Sequence, residues 1–318
     1  MSRFMNIKKK IEQKINGLIK RSYWYNNIMF PDCKKFWNQK TFNLDLINLG
    51  SSSAKYGFDY SDLNIKAANW AMGPQSLVTD FEILKNYSSF LKPGGIVVIP
   101  LCPFSCLGGS TKYMADKYYT IVRLMSIPNS NYLKRQDILR IMREPIKYYP
   151  LIEIVRDMKI ITKKILHYKN TESIVSDKQL EANAKQFIDG WKFEFSILDF
   201  KNELILKNKD AYADSVDILL EMISFCLERG FKPVLTIPPV SKHLLLYFTP
   251  EMKKLFIYDF IKKANNQNIP FLDFFDHPDF KDKNEYFLNS LFLNQKGAKA
   301  YTSALLKQIV STQFWAIK

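Results

Sequence analysis

From residue 44 onward, short unbroken apolar runs alternate with stretches whose apolar residues recur at helical spacing, a pattern that βαβ units around a mostly parallel sheet satisfy. Five runs read as strands: Leu44 to Leu49, Ile65 to Trp70, Gly95 to Leu101, Pro233 to Ile237 and Ile269 to Phe274. Residues 76–91, 210–229, 250–266 and 295–310 read as the helices between and after them. Pro93 with Gly94, and Gly230, are expected to end helices where the chain turns into the next strand. The expected fold class is therefore α/β, a three-layer sandwich with a mostly parallel, flavodoxin-like sheet of about five strands. A chain of 318 residues, 47% hydrophobic and 14% aromatic, has enough apolar surface to build its core.

Two stretches stand outside the alternation. Residues 107–207 carry Lys/Arg-rich helical segments and the aromatics Tyr118, Tyr119, Tyr148, Tyr149 and Trp191, and read as a helical insertion capping the strand ends. Residues 1–40 hold ten Lys/Arg against Glu12 and Asp32, so this arm contributes +8 of a net charge of +15. Within it, Ile7, Ile11, Ile15, Leu18 and Ile19 recur at helical spacing, with Lys8, Lys9, Lys10, Lys14 and Lys20 mostly on the other face. Such a helix either docks on an anionic membrane surface through residues 1–22 or packs on the domain that occupies residues 41–318. In the first case each basic residue contributes on the order of 1 kcal/mol.

Several function classes find no support. The four cysteines are too few for a disulfide framework and their spacing makes no zinc knuckle, so Cys102 and Cys106 read as small buried apolar residues. Three scattered histidines give no metal site, and no cofactor is expected. LGSSSAKYG lacks the G-x-G-x-x-G turn of dinucleotide enzymes. The basic arm lacks any nucleic-acid reading motif, so a nucleic-acid partner is not expected. The first 30 residues contain no signal-peptide core and no stretch is apolar enough to span a bilayer. A cytoplasmic protein, peripheral to the membrane at most, is the expectation.

The chemistry concentrates at LDLINLGSSSAKYGFD, Leu44 to Asp59, where a strand ends in Gly-Ser-Ser-Ser and enters a helix or turn. Ligands of open α/β sheets bind at the carboxyl ends of strands. A serine there becomes a nucleophile when a base activates it and N–H groups hold the oxyanion. Capping is the alternative role for Ser51 and Ser53.

Gly50-Ser51-Ser52 resembles the nucleophile turn of SGNH (GDSL-like) hydrolases. Asn69-Trp70-Ala71-Met72-Gly73-Pro74-Gln75-Ser76 is similar to that family's second block, with Gly73 at the oxyanion glycine, and Asn289 to Ala298 is similar to its last block. The resemblance covers residues 44–310. The layout is also similar to the family that assists D-alanine transfer to teichoic acids, with its GSS-type turn and helical insertion. It implies an acyl esterase or acyltransferase acting through Ser52 on a carbohydrate, an acylated small molecule or a cell-surface polymer precursor, with Asn69 lining the substrate site.

The last block departs from the family at its catalytic pair: Asn289 stands for the usual Asp and Phe292 for the usual His. Phenylalanine takes no proton, and an amide does not stabilise an imidazolium as a carboxylate does. Pro100-Leu101-Cys102-Pro103-Phe104-Ser105 replaces the Gly-x-Asn-Asp of the third block, leaving Ser105 as the substitute donor. Two histidines on the functional edge of the sheet are the candidates for a substitute base to Ser52: His243 after the fourth strand, and His277 after the fifth, with Asp276 or Asp279 to orient its ring. The same aspartates also suit an ordinary hydrogen-bonded turn. His167, on a Lys-rich stretch, reads as solvent-exposed. The alternative to an enzyme is an inactive SGNH-like module that binds a glycan or an acyl-carrier partner.

Overall fold

The computed structural model describes residues 2–108, 114–166, 174–196 and 206–311. In chain order the elements are α1 (Ser2–Ile19), α2 (Cys33–Asn38), β1 (Leu44–Asn48), α3 (Ser52–Gly57), β2 (Ala67–Asn69), α4 (Leu77–Tyr87), β3 (Leu91–Pro100), α5 (Tyr132–Arg143), α6 (Leu151–Leu166), α7 (Asp177–Glu194), α8 (Leu206–Glu228), β4 (Lys232–Ile237), α9 (Lys242–Leu245), α10 (Pro250–Lys253), α11 (Asp259–Ala264), β5 (Phe271–Asp273), α12 (Pro278–Lys281) and α13 (Gln295–Ser311). Two compact units divide them. Residues 1–38 and 113–173 form one, and residues 39–112 and 174–318 form the other. His167 lies outside the described residues.

The larger unit is the expected three-layer α/β sandwich. Its five strands run in the order β2-β1-β3-β4-β5 and every pairing is parallel. Strands covered on both faces carry unbroken apolar runs, and Ile96 to Leu101 and Val234 to Ile237 are buried without interruption. The core of this unit also takes Leu46, Ala54, Phe58, Leu272, Phe274, Tyr301 and Leu305, so the serine-bearing α3 and the last helix α13 pack into the same apolar layer.

Two local expectations are corrected. Pro93-Gly94 does not separate helix from strand, because β3 begins earlier, at Leu91, and runs through them. The register against β1 jumps from Leu44↔Leu91 to Leu46↔Ile96, with Gly94 at φ 72°, the signature of a bulge. The helix over 250–266 is built as α10, a π-helical turn at Lys254–Tyr258, and α11.

The smaller unit is helical among its described residues. Cys33 and Phe36 on α2 are buried together with Trp24, Tyr25 and Phe30. The Trp24 ring meets Tyr149 edge-on at 5.4 Å, and the Tyr25 hydroxyl donates to the Met142 carbonyl at 3.3 Å. Residues 113–173, inside the stretch expected as an insertion, thus share one unit with the N-terminal segment, whereas α7 belongs to the unit of the sheet.

Candidate functional site

Strand order reverses between β1 and β3, because the chain moves outward from β1 to β2 and then returns to β1's other side. At such a switch point the following loops part and leave a crevice beyond the strand ends. Ser52, the first residue of α3, follows β1 there, and Cys102 to Ser105 follow β3.

The serine turn is held by backbone and side-chain bonds from residues 69–80. Gly50 sits at φ 109°, where a side chain would be strained and would meet Ala54 Cβ at 2.7 Å. Its N–H donates to Asp80 Oδ1 at 2.8 Å, and Gln75 Nε2 donates to the same oxygen. The Gln75 N–H donates to Ser51 Oγ at 3.1 Å, so Ser51 is occupied across the turn and its side chain does not cap α3. Ser53 Oγ lies 3.0 Å from Cys102 Sγ. Asp80 is buried, and burial, only partly offset by the two donors, pushes its carboxyl up to about 7.

Asn69 shows how tightly α3 is fixed. Its Oδ1 accepts from Asn48 Nδ2 at 2.9 Å and from Ala71 N–H at 3.1 Å. Its Nδ2 lies 3.3 Å from the carbonyl oxygens of Ala54, Lys55 and Phe58. The side chain is buried and its polar atoms serve the protein. Asn69 therefore positions the serine helix, and its amide is not presented to a substrate as the resemblance implied. Tyr60 extends the network by donating to Asn48 Oδ1 at 2.9 Å.

Gly73 lies against the serine. A Cβ built there would fall 2.1 Å from Ser52 Oγ and 3.2 Å from Ser52 Cβ, so only glycine permits this approach. The residue read as an oxyanion donor is therefore adjacent to the residue read as the nucleophile. Ser105 Oγ accepts from Cys102 N–H at 2.8 Å and closes its own turn.

Phe292 occupies the position that the resemblance reads as a histidine. Its ring stacks on Tyr56 at 5.2 Å, one helical turn beyond Ser52, and meets Phe187 of α7 edge-on at 5.5 Å. Asn289 Oδ1 accepts from the N–H groups of Leu291 at 3.0 Å and Phe292 at 2.8 Å, the bonding of an Asx turn. Among the described residues Ser52 Oγ meets no hydrogen-bonding partner. Trp191 of α7 packs 5.1 Å from Phe104, giving the region after β3 an aromatic cover as well.

The substitute bases have other partners. His243 Nε2 is 2.8 Å from Asp177 Oδ1, which also receives Asn284 Nδ2 at 2.9 Å. These bonds anchor the start of α7, and the one from Asn284, followed by the one from His243, holds the Asp177 carboxyl below its ordinary value. His277 caps α12, its Nδ1 accepting from Asp279 N–H at 3.2 Å, and its ring stacks on Phe274 at 5.0 Å. Asp276 does not orient that ring. Its oxygens take Lys253 Nζ at 2.7 Å and Lys281 Nζ at 3.0 Å. Burial works to raise its carboxyl, but the two ammonium groups outweigh burial and lower it. The turn is capped by the His277 ring, and Asp276 is held in ion pairs.

Phe187 of α7, Tyr56 and Asp80 were missed as site residues. Tyr56 follows Ser52 by one helical turn, a spacing visible in sequence, but Phe187 and Asp80 carry no local signal. Among the described residues no group of three or more His, Cys, Asp or Glu side chains is placed to hold a metal, and no helix is long and apolar enough to cross a membrane.

No protein-family model and no curated protein matches the chain. A solved structure of a candidate acylhydrolase from Bacteroides fragilis is similar over 91% of this chain and 99% of its own, at 9% identity and a TM-score of 0.43. A likeness of that degree carries nothing about substrate.

Proposed function

We propose that the chain is an SGNH-hydrolase-like protein that binds an acylated carbohydrate or a related acyl ester around Ser52 without turning it over at the rate of a serine esterase. One observation carries this reading: Phe292, in place of a histidine, packs on Tyr56 beside a serine whose hydroxyl has no hydrogen-bonding partner among the described residues. A positioned general base is worth roughly 10² to 10⁴ in rate, and losing the base of a serine triad costs more. The aromatic rings of Tyr56, Phe187 and Phe292 suit an acyl chain or a sugar face.

An acyl esterase or O-acyltransferase is the second reading, favoured by the approach of Gly73 to Ser52 Oγ. In it, Ser52 Oγ attacks the ester carbonyl, the N–H groups of Gly73 and Ser52 hold the oxyanion, and the alcohol leaves. Water or a sugar hydroxyl then takes the acyl group from the serine. The proton from Ser52 requires a base, and His277 or His243 serves only after giving up its present partner.

Labelling with a serine-directed fluorophosphonate, read by intact mass, separates the two. The parent chain is expected to label no faster than Ser52→Ala. A Phe292→His/Asn289→Asp variant is expected to gain labelling at Ser52 and hydrolysis of p-nitrophenyl acetate by about 100-fold or more. Rapid labelling of the parent at Ser52, with turnover that Ser52→Ala abolishes, would establish the enzyme and overturn the binding module.

A further inference from the structure

The smaller unit presents two apolar helix stripes to solvent. Residues 6–15 of α1 are all exposed, and Ile7, Ile11 and Ile15, joined by Leu18, form an apolar stripe along it. Lys8, Lys10 and Lys14 are exposed beside it. An isolated helix of this length is marginal in water, because its stability normally comes from packing an apolar face.

Along Leu151 to Met158 the helix α6 is turned inside out. Leu151, Ile154, Val155 and Met158 follow each other at helical spacing and are exposed, Leu151 to 81% and Met158 to 63%. Ile152 is exposed as well. The inward face carries carboxylates instead. Glu153 is buried, with Arg156 Nη1 at 2.9 and 3.0 Å from its two oxygens. Asp157 accepts from Tyr23 N–H at 2.6 Å and from the Tyr149 hydroxyl. A helix in a water-facing position ordinarily has the reverse arrangement.

Charge identifies the occupant. Residues 1–38 and 113–173 contain 21 Lys/Arg against 8 Asp/Glu, a net +13, whereas the rest of the chain holds 25 against 23. Nearly the whole excess charge thus belongs to the unit with the exposed stripes. A second copy of the same unit would be repelled. Nucleic acid would match the charge and leave the apolar stripes uncovered.

We propose that α1 and α6 dock on the surface of an anionic phospholipid bilayer. Their apolar side chains enter the headgroup–acyl boundary while the lysines stay at the phosphates. This broadens the expectation for residues 1–22 to a surface that includes α6, and it is independent of the chemistry at Ser52.

The test is flotation of the full chain with vesicles of phosphatidylcholine, alone or doped with phosphatidylglycerol, at about 0.1 M salt, where screening is moderate. Two variants accompany it: Lys8→Gln/Lys9→Gln/Lys10→Gln/Lys14→Gln, and Leu151→Ser/Val155→Ser/Met158→Ser. All seven side chains are exposed, and circular dichroism checks that both variants fold. The parent is expected to float with the doped vesicles only, and each variant to lose more than tenfold in partitioning. Absence of flotation overturns the proposal. So does flotation indifferent to the α6 serines, with retention on duplex DNA identifying a polyanion site. Self-association abolished by both variants, without flotation, overturns it in favour of a dimer face.

Discussion

Asp80 shows how one buried carboxyl ties the serine turn to solution conditions. Its proton is favoured in the folded chain, where burial pushes the carboxyl up to about 7, and less favoured in the unfolded chain, where carboxyls titrate near ~3.9. A group raised in this way contributes its full stability below the unfolded value. That contribution is lost as pH rises through about 7. Asp80→Asn keeps an oxygen for the Gly50 N–H and removes the ionisation. The variant is expected to melt above the parent at pH 8, by an amount corresponding to a few kcal/mol, since each tenfold change in proton affinity is worth about 1.4 kcal/mol. The gap is expected to narrow towards pH 5. Thermal denaturation across that range checks it, and parallel melting curves would show that Asp80 is already solvated.

At the scale of elements, α3 is only six residues long and depends on tertiary bonds to keep its place. Asn69 supplies them, reaching from the end of β2 to Ala54, Lys55 and Phe58 while holding Asn48. Asn69→Ala is expected to cost about 3 kcal/mol, since buried donors and acceptors are left unmade. Urea denaturation measures that loss. Asn69→Asp, which keeps the acceptor and loses the donors, is expected to remain destabilised. Elements were largely legible beforehand, because a buried parallel strand is written as an apolar run and a helix as a 3.6-residue period. The bulge at Pro93-Gly94 was not. The same dipeptide that ends a helix also fits a strand that shifts register, and the choice depends on β1 as a neighbour.

Across the whole molecule, the two units differ in size and charge, and this bears on how the chain unfolds. Cys33 in the smaller unit and Cys226 in the larger are both fully buried, and burial, the largest cause at each, pushes both thiols up to about 12. Neither is expected to react with iodoacetamide in the native protein at pH 8. With net charge of +13 in 99 residues, self-repulsion weakens the smaller unit. In a urea series read by mass spectrometry, Cys33 is expected to become reactive at a lower concentration than Cys226. Coincident exposure would mean that the units unfold as one.

The candidate site divides along a physical line. Strand runs, helical periods, the Gly50-Ser51-Ser52 turn and the phenylalanine at 292 are properties of neighbouring residues, so the sequence alone determined the α/β class and that no histidine lies in residues 289–298. Which partner each titratable group has depends on residues far apart in the chain. His243 is bound to Asp177 across 66 positions, Asp276 to Lys253 across 23, and Gly50 to Asp80 across 30. Asn69 carried a motif position but is occupied by the carbonyls of α3, and Asp157 turned inward while Val155 and Met158 beside it turned out. Hydrogen-bond satisfaction in a buried setting is decided by whichever groups the fold brings within 3 Å or so, and only the tertiary structure brings them there.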